Sequence, residues 1–237
     1  MSTTNNALVI IGSGPGISNG VAHHFAQHRF SNISLIARST SAVEKTKASL
    51  LSTHATRNLS IKTHTLDITD LPALRSTLAE ISSIAPIECV FFNAARVRGL
   101  PFFEDTVEEI SYDFAITNLA LYEVAKWAMP QLVSMAEEGR DRDARPSLIV
   151  TNSLLPSQPV PALFSLSLTK AAQRNLAMSL EMEFKDKGIN VAVISVGGQV
   201  AEGNAVLNPK TIAERIWGVY RRERGDYQFD TEILEES

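Results

Sequence analysis

A chain of 237 residues, 44% hydrophobic and 20% charged, has the size and composition of one large α/β domain with a full core. Its net charge of −4 gives no general attraction for nucleic acid or an anionic membrane, and no apolar stretch approaches the about 20 residues that span a bilayer. The single cysteine, Cys89, rules out an intrachain disulfide and sits in the apolar run Ile87-Glu88-Cys89-Val90-Phe91-Phe92, where a thiol serves as a small core residue.

The polar start, residues 1–6, and the short apolar run 7–11 lack the basic flank and length of a secretory signal, so the expected location is cytoplasmic. That apolar run reads as a first strand and leads directly into Gly12-Ser13-Gly14-Pro15-Gly16-Ile17-Ser18, followed by a helix over 17–28. Glycines after a strand let the backbone turn tightly and approach a pyrophosphate, whose charge is met by the helix N-terminus. A second strand, 33–37, ends on Arg38-Ser39. A site for NAD(H) normally has a carboxylate there, for the ribose 2′-hydroxyl; a guanidinium instead suits a 2′-phosphate, so NADP(H) is the expected cofactor.

A helix over 41–54 follows, then a strand over 60–66 whose alternation of polar and apolar residues points to a sheet edge. Next come a helix at 71–82, a strand at 87–93 and a long helix at 107–137. The charged run Glu137-Glu138-Gly139-Arg140-Asp141-Arg142-Asp143 reads as a solvated loop before a strand at 147–151. A helix over 164–187, a strand over 189–196 and a last helix entered at Asn208-Pro209 complete the chain. Several strands are continuous apolar runs, as in a parallel sheet covered on both faces. Strand alternating with helix about six times is a doubly wound pattern, with its functional crevice at the carboxyl ends of the strands.

Further motifs carry a family resemblance. Gly12-x-x-x-Gly16 is joined by Asp67 in Leu66-Asp67-Ile68, Asn93-Ala94-Ala95, Thr117-Asn118-Leu119, Ser153 after the fifth strand, Thr169-Lys170-Ala171-Ala172 and Gly197-Gly198-Gln199-Val200. Over roughly residues 7–220 the chain resembles the short-chain dehydrogenases/reductases, with spellings such as Phe164-Ser165-Leu166-Ser167 similar to a divergent fungal branch. The resemblance implies a single domain over 1–237: a Rossmann-type doubly wound, mostly parallel seven-stranded sheet with helices on both faces. It implies that Gly12, Ser13, Gly14, Gly16, Ile17, Arg38, Asp67, Ile68, Asn93, Ala94, Lys170 and Val200 bind NADP(H), and that Asn118, Ser153 and Lys170 are catalytic. Ser18 stands where the family's third glycine is usual, and either adds a hydroxyl contact or loosens helix–strand packing.

One catalytic position departs from the family. The family's acid is a tyrosine four residues before the lysine, and here that residue is Leu166. A general acid contributes roughly 10²–10⁴ in rate, so ordinary ketone reduction would be poor while positioning and electrostatics remain. Three substitutes come into view: Ser165 or Ser167 beside the position, Tyr122 one helical turn after Asn118, and a substrate such as an iminium ion that needs no proton. The family's substrate-covering segment after the Val200 turn is nearly absent, leaving an open crevice that suits a bulky substrate, a partner chain covering it, or no substrate at all.

His24 and His28, spaced i, i+4, read as a solvated helix face, and no metal site is expected. Arg96 and Arg98 are candidates for meeting an anion at the crevice mouth. Three functions remain open: an atypical NADP(H)-dependent oxidoreductase acting on an imine-like or bulky carbonyl substrate, a non-redox cyclase or isomerase, and a non-catalytic NADP(H)-sensing or partner-binding protein. By resemblance the chain pairs through its two long helices into a homodimer or homotetramer.

Overall fold

A computed structural model describes residues 2–139 and 141–235; Met1 of the polar start and Arg140 of the charged run lie outside the described residues. These residues form seven strands: β1 (Thr4–Ile11), β2 (Phe30–Ala37), β3 (Ser60–Thr65), β4 (Ile87–Phe92), β5 (Ser147–Ser153), β6 (Asn190–Val196) and β7 (Asp230–Ile233). They lie in the order β3-β2-β1-β4-β5-β6-β7. Every neighbouring pair is parallel, so the sheet is wholly rather than mostly parallel.

Around the sheet lie α1 (Ile17–His28), α2 (Thr40–Thr53), α3 (Leu71–Ser82), α4 (Val107–Phe114), α5 (Ala120–Glu138), α6 (Phe164–Phe184) and α7 (Pro209–Tyr220). Because side chains alternate along a strand, β1 supplies both faces. Ala7, Val9 and Ile11 point into one core with Leu74 and Leu78 of α3 and Leu121 and Val124 of α5. Leu8 and Ile10 point into the other, with Val21 and Phe25 of α1, Val43 of α2 and Ile212 of α7. β1 lies between β2 and β4, where the winding reverses, and the crevice there opens at the carboxyl ends of β1 and β4.

The long helix expected over 107–137 is interrupted. Residues Ala115–Leu119 form one π turn between α4 and α5, closed by Ala120 N–H donating to the Ala115 carbonyl. Thr117 supplies a local cause, since its Oγ1 donates to the Asp113 carbonyl at 2.7 Å and competes with the regular ladder. The short segment after Val200 is folded on itself. Asn204 Oδ1 accepts from Val206 N and Leu207 N at 2.9 and 2.7 Å, and Ala201 N donates to the Leu207 carbonyl. That places the start of α7 hard against α1: a Cβ on Gly20 would lie 2.3 Å from the Pro209 carbonyl oxygen.

Candidate active site

The turn after β1 is shaped for a close ligand. Gly12 has φ +84°, and a Cβ there would sit 2.6 Å from the Ala94 amide nitrogen, so only glycine allows this approach. Ser18 supplies the hydroxyl contact: its Oγ accepts from Gly14 N at 2.8 Å and donates to the Gly14 carbonyl at 3.1 Å. Gly16 precedes α1 without a side-chain cap, and while Asn19 N and Gly20 N donate to its carbonyl, the first two amides, of Ile17 and Ser18, are free to face an anion.

Beyond the turn lies a cleft of about 330 Å³. Of the residues expected to bind the cofactor, Gly12, Ser13, Arg38, Ile68, Asn93 and Ala94 line it. Ser39, Leu66 and Ile116 line it too, and were not anticipated; Ser39 could have been found as the cap of α2, its Oγ accepting from Ala42 N. The Ser13 hydroxyl is buried with no partner among the described residues. A dinucleotide fits this set: a glycine cradle, an unspent buried hydroxyl and a cationic end at Arg38.

Asp67 does not line the cleft. Its Oδ1 accepts from Thr69 N and Oγ1 at 2.9 and 2.8 Å, and its Oδ2 accepts the Tyr112 hydroxyl proton. Burial alone would raise the Asp67 pKa, but the hydrogen bonds from Tyr112 and Thr69 outweigh it and hold the carboxyl below its usual range. Arg38 Nη1 donates to the same Tyr112 oxygen at 3.4 Å. Val200 does not line the cleft and packs against the core cluster that includes Ile212 and Ile216 of α7.

Hydrogen bonds tie together the segments that carry the catalytic candidates. Asn118 sits in the π turn, where Nδ2 donates to Thr117 Oγ1 at 2.9 Å and to the Thr169 carbonyl at 3.2 Å. Its Oδ1 is buried without a partner among the described residues. Ser153 ends β5; its amide donates to Asn152 Oδ1 at 2.8 Å, while Asn152 Nδ2 donates to the Lys170 carbonyl at 3.1 Å. Lys170 is 6% exposed, and its Nζ donates to the Thr151 carbonyl at 2.7 Å and to Gln173 Oε1 at 2.9 Å. Burial pushes its pKa down to about 7. Gln173 was missed, though i, i+3 spacing from Lys170 puts the two on one helix face. Leu166, 8% exposed, sits one turn earlier on α6.

The nearby hydroxyls are committed elsewhere. Ser165 Oγ donates to Asp113 Oδ2 at 2.7 Å, and Ser167 Oγ donates to the Leu163 carbonyl at 2.9 Å. Tyr122 is 54% exposed and lines an outer groove with Met129, Val133, Leu180 and Phe184. Asn118, by contrast, is buried in the π turn. Arg96 and Arg98 are also spent, on Asp113, Glu109 and Asp105, rather than free to meet an anion. His24 and His28 pack their rings against Trp217.

The sequence profile of short chain dehydrogenases matches residues 6–211. A very-long-chain 3-oxoacyl-CoA reductase of Vanderwaltozyma polyspora is 24% identical over 232 residues, 93% of this chain and 65% of that protein. A 2,5-dichloro-2,5-cyclohexadiene-1,4-diol dehydrogenase of Sphingobium indicum is 24% identical over 162 residues, 68% of this chain and 62% of that enzyme. The chain thus spans slightly under two thirds of the length of these relatives. Among solved structures, the NADPH-bound short chain oxidoreductase from Pseudomonas aeruginosa containing an atypical catalytic center superposes with a TM-score of 0.82 at 20% identity, covering 97% of this chain and 95% of that one. L-Sorbose reductase from Gluconobacter frateurii, complexed with NADPH and L-sorbose, gives 0.83 at 17% identity, covering 100% and 97%. At these identities the likeness is one of fold.

Proposed function

Because the chain belongs to the short-chain dehydrogenase family, we propose that it is an NADP(H)-dependent oxidoreductase, built as a single domain, whose site works without a tyrosine acid. The observation that carries this reading is a cleft ready for an anionic cofactor in a chain that sets a hydrocarbon, Leu166, one turn before a buried Lys170. Gly12, Ser13, Gly14, Gly16 and Ile17 would hold the pyrophosphate end, and Arg38 the ribose phosphate. Ile68, Asn93 and Ala94 would flank the adenosine, with Asp67 behind them. Lys170 and Val200 would stand at the nicotinamide end. When bound, NADPH supplies a hydride.

The chain's own groups then decide which acceptors are reduced. Ser153 orients the acceptor with its hydroxyl, and Asn118 offers an unspent buried carbonyl to hold a water. Leu166 excludes water and gives no proton. An acceptor that is already cationic, such as an iminium ion, needs none. Phe102 and Phe103 are exposed, the latter 94%, and Phe102 packs, tilted, on Phe164 at the start of the helix that carries Leu166, at 4.8 Å between ring centres; this reading takes them as the rim. Such a rim suits a bulky, largely apolar substrate.

The test follows NADPH consumption by the purified protein with a cyclic iminium ion and with its matched ketone. Turnover of the iminium, with the ketone slower by roughly 10² or more, is the expected result. A second reading, a cofactor-binding protein without redox chemistry, draws on Lys170 being held by Thr151 and Gln173. NADPH binding with no oxidation of any acceptor would select it. We also propose a homodimer or homotetramer formed over the groove between α5 and α6, to be read by sedimentation.

A further inference from the structure

Arg38 lines the cofactor cleft and Asp67 lies behind it, both bonded to the Tyr112 hydroxyl, and the guanidinium's charge helps hold the carboxyl ionised. A carboxylate there competes with a phosphate for one cation. The only hydrogen bond that Arg38 makes among the described residues goes to neither; it goes to the Tyr112 hydroxyl on α4. That hydroxyl spends its single proton on Asp67 and offers its lone pair to Arg38. Hydrogen bonding to Asp67 also raises the Tyr112 pKa, so the phenol keeps the proton it donates. The ring itself is braced: the Arg96 guanidinium lies 4.6 Å from its centroid and is pinned by Asp113 at 2.5 Å and by Glu109.

We propose that Tyr112 is a specificity-determining positioning residue, whose hydroxyl stands between Arg38 and Asp67 and keeps the guanidinium available to a ribose 2′-phosphate. The inference rests on the cleft being an NADP(H) site. Without the hydroxyl, Asp67 keeps the two bonds from Thr69 and loses the third. Arg38 is then the strongest donor within reach of the vacated oxygen, and an Arg38–Asp67 pair would withdraw the cation from the cleft. A cofactor lacking the 2′-phosphate would feel little of this.

The experiment measures dissociation constants for NADPH and NADH, by nucleotide fluorescence, in the wild type, Arg38→Ala, Tyr112→Phe and Tyr112→Phe/Asp67→Asn. The wild type should prefer NADPH, and Arg38→Ala should lose the preference. Tyr112→Phe should weaken NADPH by roughly three- to tenfold, the worth of one such hydrogen bond, and NADH much less. Adding Asp67→Asn removes the competing carboxylate and should recover most of the NADPH affinity, which a merely structural tyrosine would not do. An unchanged NADPH-to-NADH ratio in Tyr112→Phe, or a double variant no better than the single one, overturns the role of Tyr112 while leaving the cofactor reading intact. A wild type without preference overturns the cofactor reading and the inference with it.

Discussion

At the amino ends of the strands, Arg29, Glu88 and Tyr220 are sealed from solvent and bonded to one another; at the carboxyl ends, Lys170 is sealed as well but meets only neutral oxygens. Arg29 reaches Glu88 through two parallel bonds, of 2.6 and 2.8 Å, and Asp141 at 2.7 Å. Glu88 also accepts from Asn6 Nδ2, Arg145 N and the Tyr220 hydroxyl. Burial by itself would lower the Arg29 pKa, yet the bonds and charge of Glu88 outweigh it and the guanidinium is held above its usual range. The amino end is therefore closed and self-satisfied. Lys170 has no carboxylate partner among the described residues, and an uncompensated buried charge is a cost that a folded chain carries where a ligand or a reaction uses it.

Breaking the closed end should have the largest effect. Glu88→Leu leaves buried Arg29 with Asp141 and the Ser2 carbonyl, and unfolding free energy measured in urea should fall by about 3–5 kcal/mol. The double variant Arg29→Met/Glu88→Leu should recover most of it, since an apolar pair of similar volume removes both charges. A single variant within experimental error of wild type would mean that the cluster is wetter than its geometry implies.

Making the carboxyl end more like the amino end is the next test. Leu166→Tyr places a phenol one turn from Lys170, as Tyr220 lies against Glu88, and supplies the proton donor that the site lacks. On the proposed reading, in which Asn118, Ser153 and Lys170 supply the rest of the site, ketone reduction with NADPH should rise by roughly 10²-fold, the lower range for a general acid. No gain in a variant that still binds NADPH would show that the three do not form a working set.

Removing the unpaired charge sharpens the contrast from the other side. Lys170→Met should stabilise the cofactor-free protein by about 2 kcal/mol near pH 7, the relief of burial being partly offset by the bonds lost at Thr151 and Gln173. The pH dependence has a definite sign. The folded lysine titrates near 7 and the unfolded one near 10.5, so between those values the unfolded chain binds more protons and wild-type stability rises with pH. Below about pH 7 the cost is present in full. Lys170→Met should lack this rise, and urea titrations at pH 7 and 10 would show a narrowing gap between the two proteins.

The two ends were not equally legible in the sequence. The glycine turn after β1 and the place of Arg38 beside it could be read because both depend on local chain: a strand, glycines, and the residue that follows the next strand. Ser18 left two outcomes open, and its bond to Gly14 selects one. The amino-end cluster was invisible because Arg29, Glu88, Asp141 and Tyr220 come from four separated segments. Asp141 in particular lay in a charged run that reads as solvated, yet it faces a fully buried guanidinium. Likewise β7 has only four residues, and its pairing to β6, not its pattern, makes it a strand.

The smallest expected effect concerns the tyrosine that sequence spacing places nearest the site. Tyr122 follows Asn118 by four residues, and in a regular helix those side chains would share a face. Nothing in Ala115-Ile116-Thr117-Asn118-Leu119 announces a π turn: there is no glycine or proline, only a threonine able to bond back to Asp113. Tyr122 is exposed and belongs with Met129 and Leu180 in the outer groove, while Asn118 is buried beside the Thr169 carbonyl. Tyr122→Phe should accordingly leave the rate of NADPH oxidation within about twofold of wild type, whereas loss of a true general acid would cost about 10² or more. A large loss with unchanged NADPH affinity would put a tyrosine back into the carboxyl-end cluster and erase its contrast with the Tyr220 end.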